Sequence, residues 1–282
     1  IMTKVVLTLL AAPMLAGAAF AAESEKSADL ALVVNQSGYS DSWEGSELGT
    51  LNWTLTADIA TKKPLSMSTL WQNQIKLAYG KTRNEQVQEN GSKDWGDSEK
   101  ATDRVFWESM VLFSEGNYVN PYVAVTWESQ FHDADDNFFN PSLLVESAGL
   151  GRTLLKNEQT EVFSRLGLAY RQRFVKGADT ATDAGLDWVT DVSHTFNEQL
   201  KAVSKLRVFQ ALTSSADDDI PAADPAKDYW KTTDIAWETT LSASVSKYIQ
   251  TTLFWEVLYD KEISTDARWR DVFGVGFSYK LF

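Results

Sequence analysis

Residues 269–282 read Trp-Arg-Asp-Val-Phe-Gly-Val-Gly-Phe-Ser-Tyr-Lys-Leu-Phe, and how this stretch is read decides the fold. In an extended chain successive side chains point to opposite faces. Trp269, Phe273, Val275, Phe277, Tyr279 and Leu281 then share one face, and Arg270, Gly274, Gly276, Ser278 and Lys280 share the other. An aromatic, apolar face, a polar and glycine-rich face and a final Phe282 suit the closing strand of an outer-membrane β-barrel. An edge strand of a soluble sandwich is the competing reading. Phe277, Tyr279 and Phe282 are the candidate signal for the barrel assembly machinery, with Tyr279 three residues before the last rather than the usual two.

Working back from this stretch, the same period of two returns along the chain, which predicts strands rather than helices. Leu30, Leu32 and Val34 begin it, followed by Leu51, Trp53, Leu55, Ala57 and Ile59, then Trp71, Ile75, Leu77 and Tyr79. Val105, Trp107, Val111 and Phe113 come next, then Val119, Val123, Val125, Trp127 and Phe131. Residues 143–155 are a further strand candidate, with two faces that are harder to tell apart by pattern. Later segments are centred on Leu166, Trp188, Leu206, Trp237 and Trp255 before the last strand.

The connections carry as much information as the strands. Long ones, at residues 38–48, 81–101, 132–141, 176–183 and 213–229, alternate with short ones at 61–65, 115–117, 156–158, 197–199 and 246–248. Short turns on one side and long loops on the other characterise an up-and-down membrane barrel, and Greek-key crossovers would not produce them. The segments also exceed the usual five or six residues of soluble strands and reach the roughly nine to eleven that a tilted membrane strand needs. Because lipid satisfies no backbone group, such a sheet must close. The expected fold is all-β, a transmembrane antiparallel up-and-down β-barrel of about 12 strands, an even number in the bacterial range. It should occupy residues 30–282.

Near the start, Met2 and Lys4 precede an apolar run and then Ala19-Phe20-Ala21. This is the layout of a secretory signal peptide over residues 1–21, with 22–29 as a short periplasmic segment. No other apolar run reaches the eighteen or so residues of a spanning helix. Yet 44% of the 282 residues are hydrophobic, 12% are aromatic and 11 are Trp, a composition that suits interfacial aromatic belts. There is no Cys, so no disulfide framework holds the exported chain. A net charge of -13 argues against a nucleic-acid partner, whose phosphates it would repel. Outer-membrane lipids, the assembly machinery and a small solute are the expected partners, with no cofactor and no metal.

If the apolar face looks at lipid, Trp53, Trp71, Trp107, Trp127, Trp188, Trp237, Trp255 and Trp269 are candidates for the aromatic belt. The opposite face then lines the lumen, with Lys76, Arg104, Glu108, Glu128 and Arg165 as candidates in the first half of the chain. Arg171, Asp187, Lys205, Glu238 and Glu256 are the candidates in the second. Such groups either line water or pair across the interior and fill it. Were the lumen open, Arg165, Arg171, Lys205 and Glu256 would be the ring candidates that set ion preference.

Several short motifs resemble the bacterial family grouped as domain of unknown function 3078. They are Asn35-Gln36-Ser37 with Ser42-Trp43, Leu51-Asn52-Trp53, residues 127–131, Glu146-Ser147-Ala148-Gly149 with Gly151-Arg152-Thr153, and Arg165-Leu166-Gly167-Leu168-Ala169 with Arg171-Gln172. The family pattern carries paired glycines soon after its first Trp, where this chain has Gly45. The resemblance implies an outer-membrane barrel without an assigned activity and transfers no functional residues.

Catalytic chemistry has little to stand on. A barrel hydrolase needs a Ser within reach of a His and an orienting acid. The chain has two His, His132 beside the acidic run 133–137 and His194 next to Ser193, and no Gly-x-Ser-x-Gly. Asp133, Asp135 and Asn137 have the spacing of the first calcium-loop ligands, but Phe138 stands where Gly is required and Leu144 where Glu is required. The expectation is a non-enzymatic protein of the outer membrane, a passive or weakly selective channel for small solutes. A structural barrel with a closed lumen is the alternative, and a lipid-modifying enzyme ranks last.

Overall fold

A computed structural model describes residues 24–40, 47–89, 92–113, 118–216, 220–221 and 224–280. The expected signal peptide, residues 22–23, Phe282 and the acidic run 217–219 lie outside the described residues.

The strands follow the alternation. In chain order they are β1 (Glu25–Ser37), β2 (Thr50–Ser66), β3 (Thr69–Val87), the short β4 (Lys93–Trp95), β5 (Glu99–Phe113), β6 (Asn120–Ser129) and β7 (Ser142–Lys156). They continue with β8 (Thr160–Phe174), β9 (Ala181–Thr195), β10 (Leu200–Ser214), β11 (Asp234–Ser244), β12 (Ile249–Tyr259) and β13 (Arg268–Lys280). Each pairs antiparallel with the next, β3 passes directly to β5, and β13 pairs back onto β1. Twelve strands therefore close a barrel, and β4 only extends the β3 edge beyond the wall, with Glu85 opposite Trp95. β1 starts at Glu25, inside the segment the sequence reading left ahead of the barrel, because Glu25 to Asp29 pair with Lys62 to Asp58.

The seams differ in length. β1 pairs with β2 along thirteen residues, from Glu25 opposite Lys62 to Ser37 opposite Thr50. Its described ladder with β13 runs only from Asp29 opposite Lys280 to Val33 opposite Gly276. Close backbone approach at that seam requires glycine, since a Cβ on Gly276 would stand 2.3 Å from the Leu32 carbonyl oxygen.

Turns such as Met67-Ser68 and residues 157–159, 196–199 and 245–248 gather at one end of the barrel, and the longer connections at the other. The outward face is the apolar one: Leu55, Leu166, Leu168, Trp188, Trp269, Phe273 and Phe277 are all exposed. A continuous apolar exterior on a closed sheet with every strand paired is what a bilayer accepts. No helix among the described residues is long and apolar enough to cross a membrane.

All eight belt candidates lie on this outward face, but they do not form two girdles. Trp127, Trp237 and Trp269 stand near the long-loop ends of their strands and Trp71 near a short-turn end, whereas Trp107 and Trp188 sit at mid-strand. An indole N–H at that depth needs a partner inside the wall. For Trp188, and likewise for Trp237 and Trp71 nearer the strand ends, a serine on the neighbouring strand supplies it. Trp188 Nε1 donates to Ser164 Oγ at 2.9 Å, Trp237 Nε1 to Ser204 Oγ at 2.9 Å and Trp71 Nε1 to Ser109 Oγ at 3.0 Å. In all three the serine lies two residues before the one opposite the Trp, the diagonal position within reach of a long side chain. A polar residue on the lipid-facing period is thus a partner for Trp rather than a break in the pattern.

Candidate functional site: the barrel interior

The inward face is not uniformly polar. Phe106, Met110, Leu112, Tyr122, Val145, Val189 and Phe209 point inward with the charges, and all are buried. Toward the short-turn end Met110, Leu112, Tyr122 and Ala124 pack together with Leu70 and Phe163 against them. This filling uses the smallest residues of the wall. Tyr122 lies opposite Gly149, and Gly149 lies opposite Gly167. A Cβ on Gly167 would stand 2.3 Å from the Ala148 carbonyl oxygen and 2.6 Å from the Tyr122 hydroxyl. The β7 faces that pattern alone leaves unresolved are settled here: Val145, Ser147, Gly149 and Gly151 turn inward, and Leu144, Ala148 and Leu150 outward.

At mid-barrel the charges pair across the lumen. Glu108 on β5 accepts from the Arg165 guanidinium on β8 and from Lys205 Nζ on β10 at 3.2 Å. Lys205 also stands 3.6 Å from Asp191, and Arg207 Nε 3.2 Å from Asp187 Oδ1. Arg165 and Asp187 are each only 1% exposed. Ionised groups so deeply removed from water persist only when paired, so these contacts are obligatory partners rather than decoration. They weld strands far apart in sequence: residue 108 meets residues 165 and 205.

Nearer the long loops a second network runs from Lys76 to Arg270. Glu238 accepts from Lys76 Nζ at 2.6 Å and from Arg104 Nη1 at 2.7 Å, and Arg104 Nη2 reaches Glu128 at 3.2 Å. Glu256 accepts from Arg270 Nε at 2.6 Å. Arg171 Nη1 donates to Asp234 at 2.6 Å while its guanidinium lies 3.7 Å from the centre of the Phe209 ring. Phe106 is the hub beneath: the cationic groups of Lys205, Arg104 and Lys76 stand 5.2, 5.5 and 5.7 Å from its ring centre.

Above Phe106 the side chains part and leave a cavity of about 440 Å³ in the long-loop half of the barrel. Arg104, Glu128, Leu143, Arg171, Glu238 and Leu258 are among its walls, each near the long-loop end of its strand. Beside it the connection after β10 turns inward. Its single turn of 3₁₀ helix, Tyr229–Lys231, buries Trp230 against Val145, Ala169, Phe209 and Ala211.

All ten lumen candidates from the sequence thus lie on the inward face and all ten make ion pairs. The four ring candidates do not share a level. Arg165 and Lys205 belong to the mid-barrel cluster, Arg171 pairs with Asp234 near the mouth, and Glu256 with Arg270. Their strands enter the tilted barrel in different registers, so likeness of charge does not place them in one ring. The sequence reading also passed over Phe106, Met110, Phe163 and Phe209. The signal for the first was the adjacent pair Phe106-Trp107, where two aromatics in succession require one to face inward.

Neither histidine builds a hydrolytic centre. Nδ1 of His194 shares a hydrogen bond of 2.7 Å with the Thr160 hydroxyl, and Ser193, its neighbour in β9, points to the opposite face. His132 packs against Phe138 in a tilted arrangement, ring centres 4.3 Å apart. In the same loop the Asp133 carboxylate accepts from the side chains of Asn137 and Asn140 and from the backbone N–H of Asn137 and Asp135. These hydrogen bonds hold its carboxyl well below the usual carboxylate range. Its oxygens are occupied by the loop itself, and no group of three or more acidic, His or Cys side chains among the described residues could hold a metal.

A family model described as protein of unknown function, DUF481, matches residues 52–222. The chain belongs to that family. The label 3078 suggested by the short motifs does not recur in this match, which spans most of the same stretch. No curated protein matches the chain. Among solved structures, the translocator domain of the autotransporter NalP from Neisseria meningitidis is similar at 11% identity and a TM-score of 0.39 over 91% of this chain and 87% of that one. The COG4313 outer membrane channel from Pseudomonas putida F1 is similar at 9% identity and 0.42 over 91% and 94%. The β domain of the Bordetella autotransporter BrkA is similar at 9% and 0.36 over 91% and 98%.

Proposed function

We propose that this DUF481 protein is an outer-membrane barrel acting as a narrow, weakly selective channel for small solutes, closed at rest by its own side chains. The observation that carries the reading is the division of the lumen. A cavity in the long-loop half ends on Phe106 and Lys205, beneath which Glu108 binds both Lys205 and Arg165, and among the described residues that floor is made of side chains on the wall. Side-chain pairs can exchange partners, so the barrier is one that rotamer changes could open. Outer-membrane lipids as the surroundings, the barrel assembly machinery as the folding partner and a small solute as the cargo belong to the same proposal. We assign no catalytic role, since His132 and His194 engage Phe138 and Thr160.

A second reading has its own observation. With Arg165 and Asp187 each 1% exposed, the floor is as tightly filled as a protein core, which favours a structural barrel acting through its loops. Single-channel conductance in a planar bilayer separates the two, with heat-modifiable gel mobility as the control for folding. The channel reading expects small, brief steps from the native protein and larger, longer ones from a Glu108→Ala/Arg165→Ala variant. Silence from both proteins, each shown to be folded, contradicts it and leaves the structural barrel.

A further inference from the structure

The cavity is cationic in a chain that is strongly anionic. Of the charged residues on its wall, Arg104, Arg171, Lys205, Arg207, Arg268 and Arg270 are basic, against the acidic Glu128, Glu238 and Glu256. The chain as a whole carries -13. Five of these six bases pair with carboxylates, some of them off this wall, which leaves Arg268 and the spare N–H donors of the paired arginines. An arginine carries five N–H donors. Arg171 has one ion pair, through Nη1 to Asp234, and Arg270 one, through Nε to Glu256. Arg268 makes no ion pair with any described residue, and its Nε is buried without a hydrogen-bond partner. Unspent guanidinium forks match carboxylate and phosphate geometry.

The rest of the wall narrows the class. Phe106, Leu143, Ala236 and Leu258 give the same cavity an apolar side. About 440 Å³ lies at the lower end of the range for small-molecule pockets. An inorganic anion would leave that side uncovered. We propose that the cavity is a binding site for small organic carboxylates with an apolar body, held by Arg268 and Arg171 at the charged end and by Leu143 and Leu258 at the other. The inference rests on the channel reading in taking this cavity as the entrance for the solute, and it names the class of that solute.

The test is binding in detergent, which needs no conduction and so fails separately from the channel reading. Isothermal titration of the folded protein with benzoate, benzyl alcohol and inorganic phosphate compares the anionic head, the apolar body and the two together. Saturable benzoate binding is expected, at least tenfold tighter than either control and weakened by salt. Arg268→Gln should weaken it tenfold or more, and this variant should fold, since Arg268 has no acidic partner to orphan. Glu128→Gln removes a competing anion from the wall and should tighten it severalfold. Benzoate no tighter than benzyl alcohol or phosphate overturns the proposal, as does benzoate binding unchanged in both variants.

Discussion

The two halves of the lumen are built by the same alternation and end up opposite in character. Toward the short turns, Met110, Leu112, Tyr122 and Phe163 fill the interior over a row of small residues at Gly149 and Gly167. Toward the long loops, Arg104, Arg171 and Arg268 stand around a cavity. Between them lies the cluster of Glu108, Arg165 and Lys205. Closing a barrel fixes which residues face inward but not whether the inside is wet. That depends on the volumes of the inward side chains and on whether each inward charge finds a partner.

The largest effect should come from breaking the floor between the halves. Glu108→Ala leaves Arg165 and Lys205 without their shared carboxylate, and orphaning buried charge costs about 3–5 kcal/mol. The urea midpoint of the detergent-folded barrel should fall accordingly. Replacing Glu108, Arg165 and Lys205 together by Met should restore much of the loss, because the one charge then left without its partner, Asp191, has a side chain 41% exposed to water.

The filled half is tested by its glycines. Gly167→Ala places a methyl against the Ala148 carbonyl and the Tyr122 hydroxyl. Overpacking of this kind costs about 1–3 kcal/mol, and the same unfolding curve would register it. In the open half the corresponding loss is smaller. Glu128→Ala removes a carboxylate whose side chain is 37% exposed, and screened pairs contribute about 1 kcal/mol or less. A larger loss at Glu128 than at Glu108 would invert the comparison.

How much of this the sequence could show follows from where two rules agree. At Trp188, Leu206 and Glu238 the alternation and the residue chemistry point the same way, and the facing of each was legible. At Phe106, Phe163 and Phe209 they conflict, since an aromatic on the inward period looks like a lapse in pattern. Phe163 fits because Gly151 leaves room for its ring, where a Cβ would stand 2.7 Å away, and Phe106 and Phe209 face the cationic groups of Lys205 and Arg171, neighbours that only the register brings together. The individual charges of the lumen were legible, but their pairings were not. Glu108 and Lys205 are separated by 97 residues, and barrel tilt decides which strands face each other at one level.

The smallest expected effect lies at the rim, in the connection between β12 and β13. Partial burial and then the nearby charges of Asp183, Asp260 and Asp234 push the Glu262 carboxyl up from its ordinary 4.5 to about 7, against the opposing Arg173. A raised carboxyl favours the folded loop in its protonated form. Its contribution is therefore full below about pH 4.5 and is lost as pH rises to 7. Amide exchange in residues 260–267 should become faster across that window, and Glu262→Gln should flatten the dependence.

The division of the lumen is most directly measured by thiol accessibility, because the chain has no Cys. Ala236 lines the cavity and Ala124 lies in the filled half, and both face inward. Single Ala236→Cys and Ala124→Cys variants, folded in detergent, would be exposed to a small charged methanethiosulfonate reagent. Rapid modification is expected at position 236, and protection at 124 until the barrel is denatured. Equal, rapid modification at both would show water running the length of the lumen and would contradict a barrel filled at one end and open at the other.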